Sequence, residues 1–241
     1  MDTYGLIGYP LTHSFSKNYF SEKFVNEQIK AQYINFELHS ITQFSAILES
    51  NPTIRGFNVT IPYKEHIIPY LDDLDKAAKE IGAVNCIRVI DGKCIGYNTD
   101  FIGFKKVLET KFNSTINHAL ILGNGGASKA VQYALKQLAI PYQVLSRKGE
   151  NTYNNTARSI FESSKLWIQT TPVGLYPHVD EALDLPYDCL SAKHILFDLI
   201  YNPPETRFLA YGKQYGAQII NGYEMLVFQA EEAWKIWNNI V

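Results

Sequence analysis

Short β-rich runs alternate with helix-length stretches along the first hundred residues of this chain. The runs TYGLIG, YINFEL and GFNVTI are separated by SKNYFSEKFVNEQI and by a helical span from about residue 40 to residue 50. Such alternation is typical of strands joined by crossover helices. The sequence therefore predicts an α/β unit in this part of the chain.

A second α/β pattern starts at His118. It begins with the strand HALILG, a glycine-rich turn and the helix KAVQYALKQLA, and it continues through the strands YQVLS, KLWIQ and HILFDLI. This is the order of a mononucleotide-binding sheet. Since the length of 241 residues exceeds that of a typical single domain, we predict two domains with a boundary near Asp100.

The last helix is predicted over residues 223–239. Leu226, Ala230, Ala233 and Trp237 recur there at three- and four-residue steps, so one face of the helix must be buried. Periodicity leaves open whether that face covers the second unit or returns to the first.

The three cysteines do not form a disulfide framework or a metal-binding pattern. A two-residue hairpin at Asp91-Gly92 pairs Val89 with Cys94, and by parity Cys86 then faces the opposite side of the sheet. No CxxC or HxxxH spacing occurs, so we predict buried, inert thiols and no metal site.

The balance of charged residues argues against nucleic acid as a binding partner. Lys and Arg number 22 against 24 Asp and Glu, so there is no basic surplus to neutralise a run of phosphates. The start, MDTYGLIGYPLTHS, lacks a basic leader, and no stretch approaches the apolar length of a membrane span. We therefore predict a cytoplasmic protein that binds neither nucleic acid nor membranes.

A glycine-rich loop joins the first strand and helix of the second unit. It consists of Gly123, Asn124, Gly125, Gly126, Ala127 and Ser128. Glycines at such spacing let the backbone approach a pyrophosphate, which the N–H groups and dipole of the helix start then hold. The alternative is an ordinary strand-turn-helix without a ligand.

The second strand of this unit ends in Ser146-Arg147-Lys148. An NAD enzyme would place a carboxylate near this point for the ribose 2′-hydroxyl. The guanidinium of Arg147 can instead bind a 2′-phosphate, so NADP is favoured over NAD. The alternative is a solvated basic loop, above all for Lys148.

Polar residues gather in the stretch GFNVTIPYKE of the first unit. Asn58 and Thr60 share one face of a strand, Pro62 ends it, and Lys64 is expected at the start of a helix. A dehydrogenase needs a group that handles the hydroxyl proton, and Lys64 can supply it. A lone lysine is otherwise usually exposed to solvent.

The hairpin register brings a second polar set together. Asn85 falls opposite Asn98, and Asp100 is its diagonal neighbour, so their side chains are expected within roughly 8 Å on one face. Such a cluster suits a polyhydroxylated ligand, although helix capping is the alternative. Near the N-terminus, Ser14 and Ser16 precede a helix and could present hydroxyls to a carboxylate.

The sequence resembles the shikimate dehydrogenase family over nearly its whole length. The stretches that carry the resemblance are GYPLTHSFS, GFNVTIPYKE, GAVNCI, GYNTDFIGF, LILGNGGASKAV, LSRK, TTPVGLYP, DLIYNPPET and GYEMLVFQAEEAWKIW. The resemblance implies an α/β fold with an N-terminal substrate domain (residues 1–100 plus about 225–241) and a Rossmann-like NADP-binding domain (residues 101–224). It also implies that the last helix returns to the first domain and that 3-dehydroshikimate and shikimate are interconverted with NADPH.

The resemblance further implies roles for single residues. Lys64 would be catalytic, with Asp100 as its partner. The residues implied to bind shikimate or line its pocket are Ser14, Ser16, Asn58, Thr60, Asn85, Tyr201 and Gln229. Those implied to contact NADP are the glycine loop, Ser146, Arg147, Lys148, Leu199 and Gly222.

The chain departs from the family pattern at Lys17, where Pro is common, at Lys148, where Thr is common, and at Asn124. Two other functions stay open: a quinate or quinate/shikimate dehydrogenase that uses NAD, and a catalytically silent binding protein for small carboxylates. A nucleotide-sensing module is disfavoured by the joint presence of Lys64 and Asp100. The expected partner is thus a small molecule, bound by a monomer or homodimer.

Overall fold

The computed structural model describes residues 1–11, 14–112 and 116–240. Two residues of the stretch GYPLTHSFS, Thr12 and His13, lie outside this part. The chain divides into two compact units: Met1–Asp100 with Gln229–Val241 form the first, and Phe101–Phe228 form the second. Each unit contains its own β-sheet.

The first unit is a mixed α/β layer structure. Its strands are β1 (Asp2–Gly8), β2 (Ala31–Glu37), β3 (Ile54–Val59), β4 (Asp73–Leu74), β5 (Cys86–Ile90) and β6 (Lys93–Tyr97), and its helices are α1 (Phe15–Asn26), α2 (Phe44–Ser50) and α3 (Lys76–Ile81). The sheet order is β2-β1-β3-β5-β6-β4. β1 is parallel to β2 and β3, whereas β5 is antiparallel to β3 and β6.

The β5–β6 hairpin has the predicted register. Val89 pairs with Cys94 across the turn, where Asp91 and Gly92 both have positive φ, as a tight hairpin turn of this type requires. Cys94 is buried in the core on one face of the sheet, and Cys86 is buried in the core on the other. The prediction that the two thiols face opposite sides is confirmed.

The second unit is a five-stranded parallel sheet. Its elements are α4 (Asp100–Lys111, which begins with the last residue of the first unit), β7 (Ala119–Leu122), α5 (Gly126–Gln137), β8 (Tyr142–Leu145), α6 (Arg158–Ser163), β9 (Leu166–Gln169), β10 (Ile195–Asp198), α7 (Arg207–Gln214) and β11 (Gln218–Ile220). The order β11-β10-β9-β7-β8 is that of a doubly wound sheet, as predicted. The side chains of all strands except β11 are buried or half-buried, as a sheet covered on both faces requires.

The last helix, α8 (Tyr223–Asn238), has nearly the predicted bounds. Ala230 and Ala233 are fully buried, and the indole of Trp237 donates a hydrogen bond to the carbonyl of Ile87, at 3.0 Å. A Cβ atom at Gly56 would overlap the Trp237 ring, so glycine is needed where the indole meets β3. The C-terminal part of α8 therefore packs on the first unit, as the resemblance implied.

The prediction that a helix starts at Lys64 is wrong. Residues 61–67 form turns, and the next regular element is a 3₁₀ helix over Ile68–Tyr70. The carbonyl of Lys64 accepts a hydrogen bond from the backbone N–H of Val84, at 2.7 Å. This tertiary bond takes the place of the bond that the carbonyl would make within a helix.

In the described part of the chain, no helix has the length and apolar character needed to cross a membrane.

Candidate active site

Three chain segments of the first unit meet at one edge of its sheet because the strand directions alternate. The end of β3, the start of β5 and the end of β6 share this edge, since β5 is antiparallel to both neighbours. Lys64 follows β3, Asn85 precedes β5, and Asp100 follows β6. Strand direction thus brings together polar groups that are separated along the sequence.

Lys64 and Asp100 form an ion pair at this edge. Nζ of Lys64 lies 2.7 Å from Oδ2 of Asp100, and the side chains are 17% and 7% exposed. The other carboxylate oxygen, Oδ1, accepts a hydrogen bond from Nδ2 of Asn85, at 2.9 Å. The sequence predicted these three residues as site candidates, and the structure brings them into direct contact.

Asn85 is the central residue of a buried polar cluster. Its Nδ2 also lies 3.0 Å from Oγ1 of Thr99 and 3.3 Å from Oε1 of Gln229, and its Oδ1 accepts the backbone N–H of Thr99 at 2.6 Å. Thr99 donates to Oε1 of Gln229 at 3.3 Å. Gln229, on α8, therefore joins the two residues that flank the lysine's carboxylate partner.

The predicted Asn85–Asn98–Asp100 set is corrected in one member. The side chain of Asn98 turns to the backbone and donates to the carbonyl of Ala83, at 2.9 Å. Thr99 takes its place in the cluster. The strand ends at Tyr97, so the alternation of side chains on which the prediction relied no longer applies beyond that residue.

Tyr33 extends the cluster toward the N-terminus, and the sequence did not single it out. Its hydroxyl donates to Oδ1 of Asn58 at 2.7 Å and is hydrogen-bonded to Ser16. Nδ2 of Asn58 in turn donates to the carbonyl of Asn85, at 3.4 Å. Burial raises the pKa of Tyr33 well above its usual value, so the phenol is a fixed neutral donor. No signal in the sequence distinguishes this tyrosine from an ordinary strand residue.

The two serines at the start of α1 have different environments. Ser14 is the N-cap, and its hydroxyl oxygen accepts the backbone N–H of Lys17 at 3.1 Å. Ser16 lies in the first turn and is buried beside Tyr33. Thr60, just after β3, is half-buried and lies against Gly8 at the end of β1. All three lie close to the carboxyl ends of the parallel strands.

In the second unit, the glycine loop lies where the strand order reverses. β7 has β8 on one side and β9 on the other, and ligands of doubly wound sheets bind at such a point. Gly123 has φ of +119°, and a Cβ there would lie 2.6 Å from Oγ1 of Thr170, which follows β9. Only glycine allows this turn at this close approach.

The start of α5 is suited to an anion. Gly125 is its N-cap, no side chain caps the helix, and its first turn carries no acidic residue. Around Gly125 a Cβ would meet no heavy atom of the described residues within 4 Å, so the backbone is accessible there. Ser128 is instead fully buried and accepts a hydrogen bond from Gln132, at 3.1 Å. The accessible part of the loop is Asn124 and Gly125, with Gly126 and Ala127 half-buried.

Arg147 borders a cavity of about 450 Å³ beyond the end of β8. Its walls come from the segments 146–147, 152–154 and 181–184 together with Val173. The hydroxyl of Ser146 donates to the carbonyl of Lys148, at 2.5 Å, which closes the turn that presents Arg147. Arg147 and Lys148 are both exposed. The cavity thus combines the Arg147 guanidinium with hydroxyl groups, the carboxyl groups of Glu181 and Asp184, and apolar walls.

Leu199 and Gly222 meet at the same edge of the sheet. The backbone N–H of Gly222 donates to the carbonyl of Ile200 at 3.0 Å, and a Cβ at Gly222 would overlap the Leu199 carbonyl. Tyr201 lies on the same loop after β10 and is half-buried. The predicted cofactor contacts other than Ser128 therefore follow the carboxyl ends of β7, β8, β10 and β11.

In the part of the chain that the structure describes, no group of three or more His, Cys, Asp or Glu side chains could hold a metal ion.

These features define a class of protein. A doubly wound unit with an uncapped glycine loop at its switch point suits a dinucleotide, and a guanidinium beyond the second strand suits a 2′-phosphate. The first unit supplies a lysine-carboxylate pair within a polar cluster. This combination is typical of nicotinamide-dependent oxidoreductases with a separate substrate domain.

Comparison with known proteins identifies the family. The profile of the shikimate dehydrogenase substrate binding domain matches residues 6–87. The chain is 39% identical to the shikimate dehydrogenase (NADP(+)) of Methanococcus maripaludis strain S2, over 98% of this chain and 91% of that protein. It matches the crystal structure of shikimate dehydrogenase from Aquifex aeolicus with a TM-score of 0.90 and 34% identity, over 99% of this chain and 93% of that one. It also matches the Thermus thermophilus enzyme in complex with NADP(H) and shikimate, with a TM-score of 0.89 and 27% identity, over 100% and 95% of the two chains. The chain belongs to the shikimate dehydrogenase family.

Proposed function

We propose that this chain is an NADP-dependent oxidoreductase that interconverts 3-dehydroshikimate and shikimate. The observation that carries the proposal is the Lys64–Asp100 ion pair, 2.7 Å long and set in a buried amide and hydroxyl cluster. Membership of the family supports the same activity, since relatives that align over nearly the whole chain are NADP(+)-dependent shikimate dehydrogenases.

Lys64 is the proposed proton donor. When bound, NADPH supplies the hydride that reduces the substrate carbonyl. The carbonyl oxygen then needs a proton, and the ammonium group of Lys64 carries one at Nζ. Asp100 holds that ammonium through Oδ2, and Asn85 holds Asp100 through Oδ1. In the reverse direction Lys64 takes the proton of the substrate hydroxyl.

The remaining polar residues of the first unit are proposed to bind the substrate. Ser14 and Ser16, at the start of α1, are placed to hold its carboxylate, because hydroxyls and helix N–H groups favour an anion. Thr60, Asn85 and Gln229 are proposed to contact its hydroxyl groups. Asn58 and Tyr201 are proposed to line the pocket.

The second unit is proposed to hold NADP(H). The glycine turn at Gly123 and the N-terminus of α5, which no side chain caps, fit a pyrophosphate. Arg147 is proposed to pair with the 2′-phosphate, with Ser146 and Lys148 beside it, and the backbone at Leu199 and Gly222 is proposed to face the nicotinamide end. Ser128 supports the loop from within, because it is buried.

One assay tests the function. Purified protein is mixed with NADPH and 3-dehydroshikimate, and the loss of NADPH absorbance is followed. We expect turnover with this pair, and lower kcat/KM when NADH replaces NADPH. In the oxidative direction, shikimate should exceed quinate as substrate. Binding of both ligands without turnover would identify a silent binding protein instead, and preference for quinate with NAD would identify the quinate enzyme.

We further propose a cytoplasmic monomer or homodimer. All three cysteines, Cys86, Cys94 and Cys189, are free thiols, which suits a reducing compartment. Light scattering coupled to gel filtration decides the oligomeric state, and fractionation of the native cells tests the compartment.

A further inference from the structure

Asp198 is a buried carboxyl group to which the proposed chemistry gives no role. It is the last residue of β10, and its side chain is fully buried. Three donors surround it: the backbone N–H of Ile200 at 2.9 Å from Oδ1, and at Oδ2 the hydroxyl of Thr206 at 2.6 Å and Nε2 of Gln169 at 2.8 Å. Burial of a carboxyl group costs free energy unless hydrogen bonds replace its lost contacts with water, and these three donors supply such bonds.

The hydrogen-bond pattern around Asp198 matches the ionised carboxylate. All three neighbours can donate, so a carboxylate accepts every bond, whereas the proton of a neutral acid would have only the Thr206 hydroxyl as an acceptor and would displace that hydroxyl's own donation. Gln169 uses its Nε2 for both Asp198 and the carbonyl of Val173, at 3.1 Å, and its Oε1 is buried without a partner among the described residues. The side chain of Gln169 thus donates to the carboxylate of Asp198, while its own Oε1 has no hydrogen-bond partner among the described residues.

Two of these bonds join the ends of one loop to Asp198 on β10, and the third joins Asp198 to the neighbouring strand β9. Residues 199–206 connect β10 to α7; Ile200 lies near the start of the loop, and Thr206 is the N-cap of α7. Gln169 ends β9, the strand beside β10. The same loop carries Leu199 and Tyr201. Asp198 is therefore hydrogen-bonded near both ends of the segment that is proposed to face the bound cofactor.

We propose that Asp198 is a positioning residue whose ionised form holds the loop of residues 199–206 in the geometry that binds NADP(H), so that cofactor affinity falls when Asp198 takes up a proton. The inference rests on the proposed function, because it assumes that this unit binds NADP(H). It adds a control of cofactor binding by pH that does not involve titration of the proton-donating lysine.

The pKa of Asp198 sets the pH range in which the affinity for the cofactor is expected to change, and this range is near neutral pH. Burial raises the pKa of Asp198 to about 7, against the hydrogen bonds from Thr206, Ile200 and Gln169, which lower it. A titratable neighbour is Tyr187, in the 3₁₀ helix over Tyr187–Cys189. Its own pKa is raised by burial, then by Tyr211, and further by the charges of Asp198 and Asp184, so it stays neutral in this range. Of these two groups, Asp198 is therefore the one that changes charge near pH 7.

Direct binding tests the proposal. The Kd of NADPH is measured by fluorescence titration between pH 6 and pH 8.5 for the wild type, for Asp198→Asn and for the control Asp188→Asn, an exposed carboxylate in the same unit. The asparagine keeps the shape but cannot accept all three bonds. The 2′-phosphate also titrates, near pH 6, but it does so equally in all three proteins. The ratio of the Kd values of variant and wild type is therefore the readout.

We expect the Asp198→Asn ratio to be about tenfold at pH 8.5 and to approach one at pH 6, where the wild-type acid is itself protonated. The Asp188→Asn ratio should be one throughout. A ratio for Asp198→Asn that does not change with pH would overturn the inference while leaving the proposed function intact. Wild-type protein that binds no NADPH at any pH would overturn both.

A second variant covers the case in which Asp198→Asn does not fold. Thr206→Val removes one donor to the carboxylate and keeps the volume of the side chain. It should raise the Kd of NADPH at pH 8.5 by about threefold or more, whereas Thr110→Val, which removes a helix-surface hydroxyl in α4, should not. Equal Kd values for the two variants and the wild type would overturn the inference.

Discussion

Nζ of Lys64 lies 2.7 Å from Oδ2 of Asp100, although the residues are 36 positions apart along the chain. The pair is only partly accessible to water, so the attraction between the charges is stronger than that of an exposed pair. Asn85 fixes the carboxylate from the other side. The ammonium is therefore held in place at the point where the proposed chemistry needs a proton.

Replacement of Lys64 by alanine should lower kcat by about 10²- to 10⁴-fold and move the KM for shikimate much less, because general acid-base help is lost while binding groups remain. Steady-state kinetics measures both values. Lys79→Ala is the matched control, since Lys79 forms an exposed ion pair with Asp73 in the same unit. An unchanged kcat for Lys64→Ala would remove this residue from the mechanism.

Tyr33→Phe should raise the KM for shikimate about tenfold and leave the KM for NADPH unchanged. Loss of the hydroxyl leaves Oδ1 of Asn58 buried without its donor, which costs about 1 to 3 kcal/mol, and it frees Ser16 to rotate. Tyr63→Phe is the control. That tyrosine also loses a buried hydrogen bond, but its hydroxyl donates to the carbonyl of Leu38, at 2.6 Å, which is not one of the cluster residues. Equal effects of the two variants on the KM for shikimate would show that Tyr33 only stabilises the fold.

Gly125→Ala should weaken NADPH binding at least about tenfold, with stability lowered by no more than about 1 kcal/mol for the change of N-cap residue. The added methyl group would have no described atom within 4 Å. It would therefore obstruct a ligand that binds to the loop, without a clash inside the protein. Gly123→Ala should instead destabilise the protein by about 1 kcal/mol or more, because φ is +119° there and Thr170 is close. Urea unfolding and cofactor titration separate the two effects; normal NADPH binding by Gly125→Ala would argue against a pyrophosphate at this loop.

Arg147→Ala should weaken NADPH binding much more than NADH binding, because only NADPH carries the 2′-phosphate. Fluorescence titration with both cofactors measures the difference. Arg207→Ala, which removes an exposed arginine paired with Asp180 in the same unit, should affect neither. Loss of affinity by the same factor for both cofactors would contradict the assignment of Arg147.

The free energy of unfolding should depend on pH through Asp198. Its pKa is about 7 in the folded protein against an ordinary value of 3.8, so the folded state binds the proton more tightly than the unfolded state. The stability from this group is therefore complete below about pH 4 and is lost progressively as the pH rises from there through 7. Relative to Asp198→Asn, wild-type stability should fall by at most about 1.4 kcal/mol per pH unit in this window. Urea unfolding at several pH values measures it, and parallel curves for the two proteins would contradict the raised pKa.

Local patterns predicted several parts of the fold and the site. The turn Asp91-Gly92 specified the hairpin register, because a two-residue turn aligns both strands. The spacing of Ala230, Ala233 and Trp237 predicted the buried face of α8, because helical periodicity is a property of neighbouring residues. Asn85 and Asp100 were likewise brought together by the hairpin register, and the resemblance paired Lys64 with Asp100.

Other contacts depend on distant parts of the chain and had no local signal. Thr99 replaces Asn98 in the cluster because the strand ends at Tyr97 and the backbone turns. Tyr33 on β2 reaches Asn58 on β3 across the intervening strand β1, and it meets Ser16 because α1 packs on β2.

By itself the sequence determined the order of strands and helices, the glycine turn and the residue types of the site, and it predicted a 2′-phosphate partner for Arg147, because these follow from periodicity and from the chemistry of adjacent residues. Only the tertiary structure decided that Lys64 lies in a turn, that Tyr33 and Thr99 belong to the polar cluster, and that Asp198 is buried among three donors. Hydrogen bonding and desolvation depend on which distant groups pack together, and that arrangement exists only after folding.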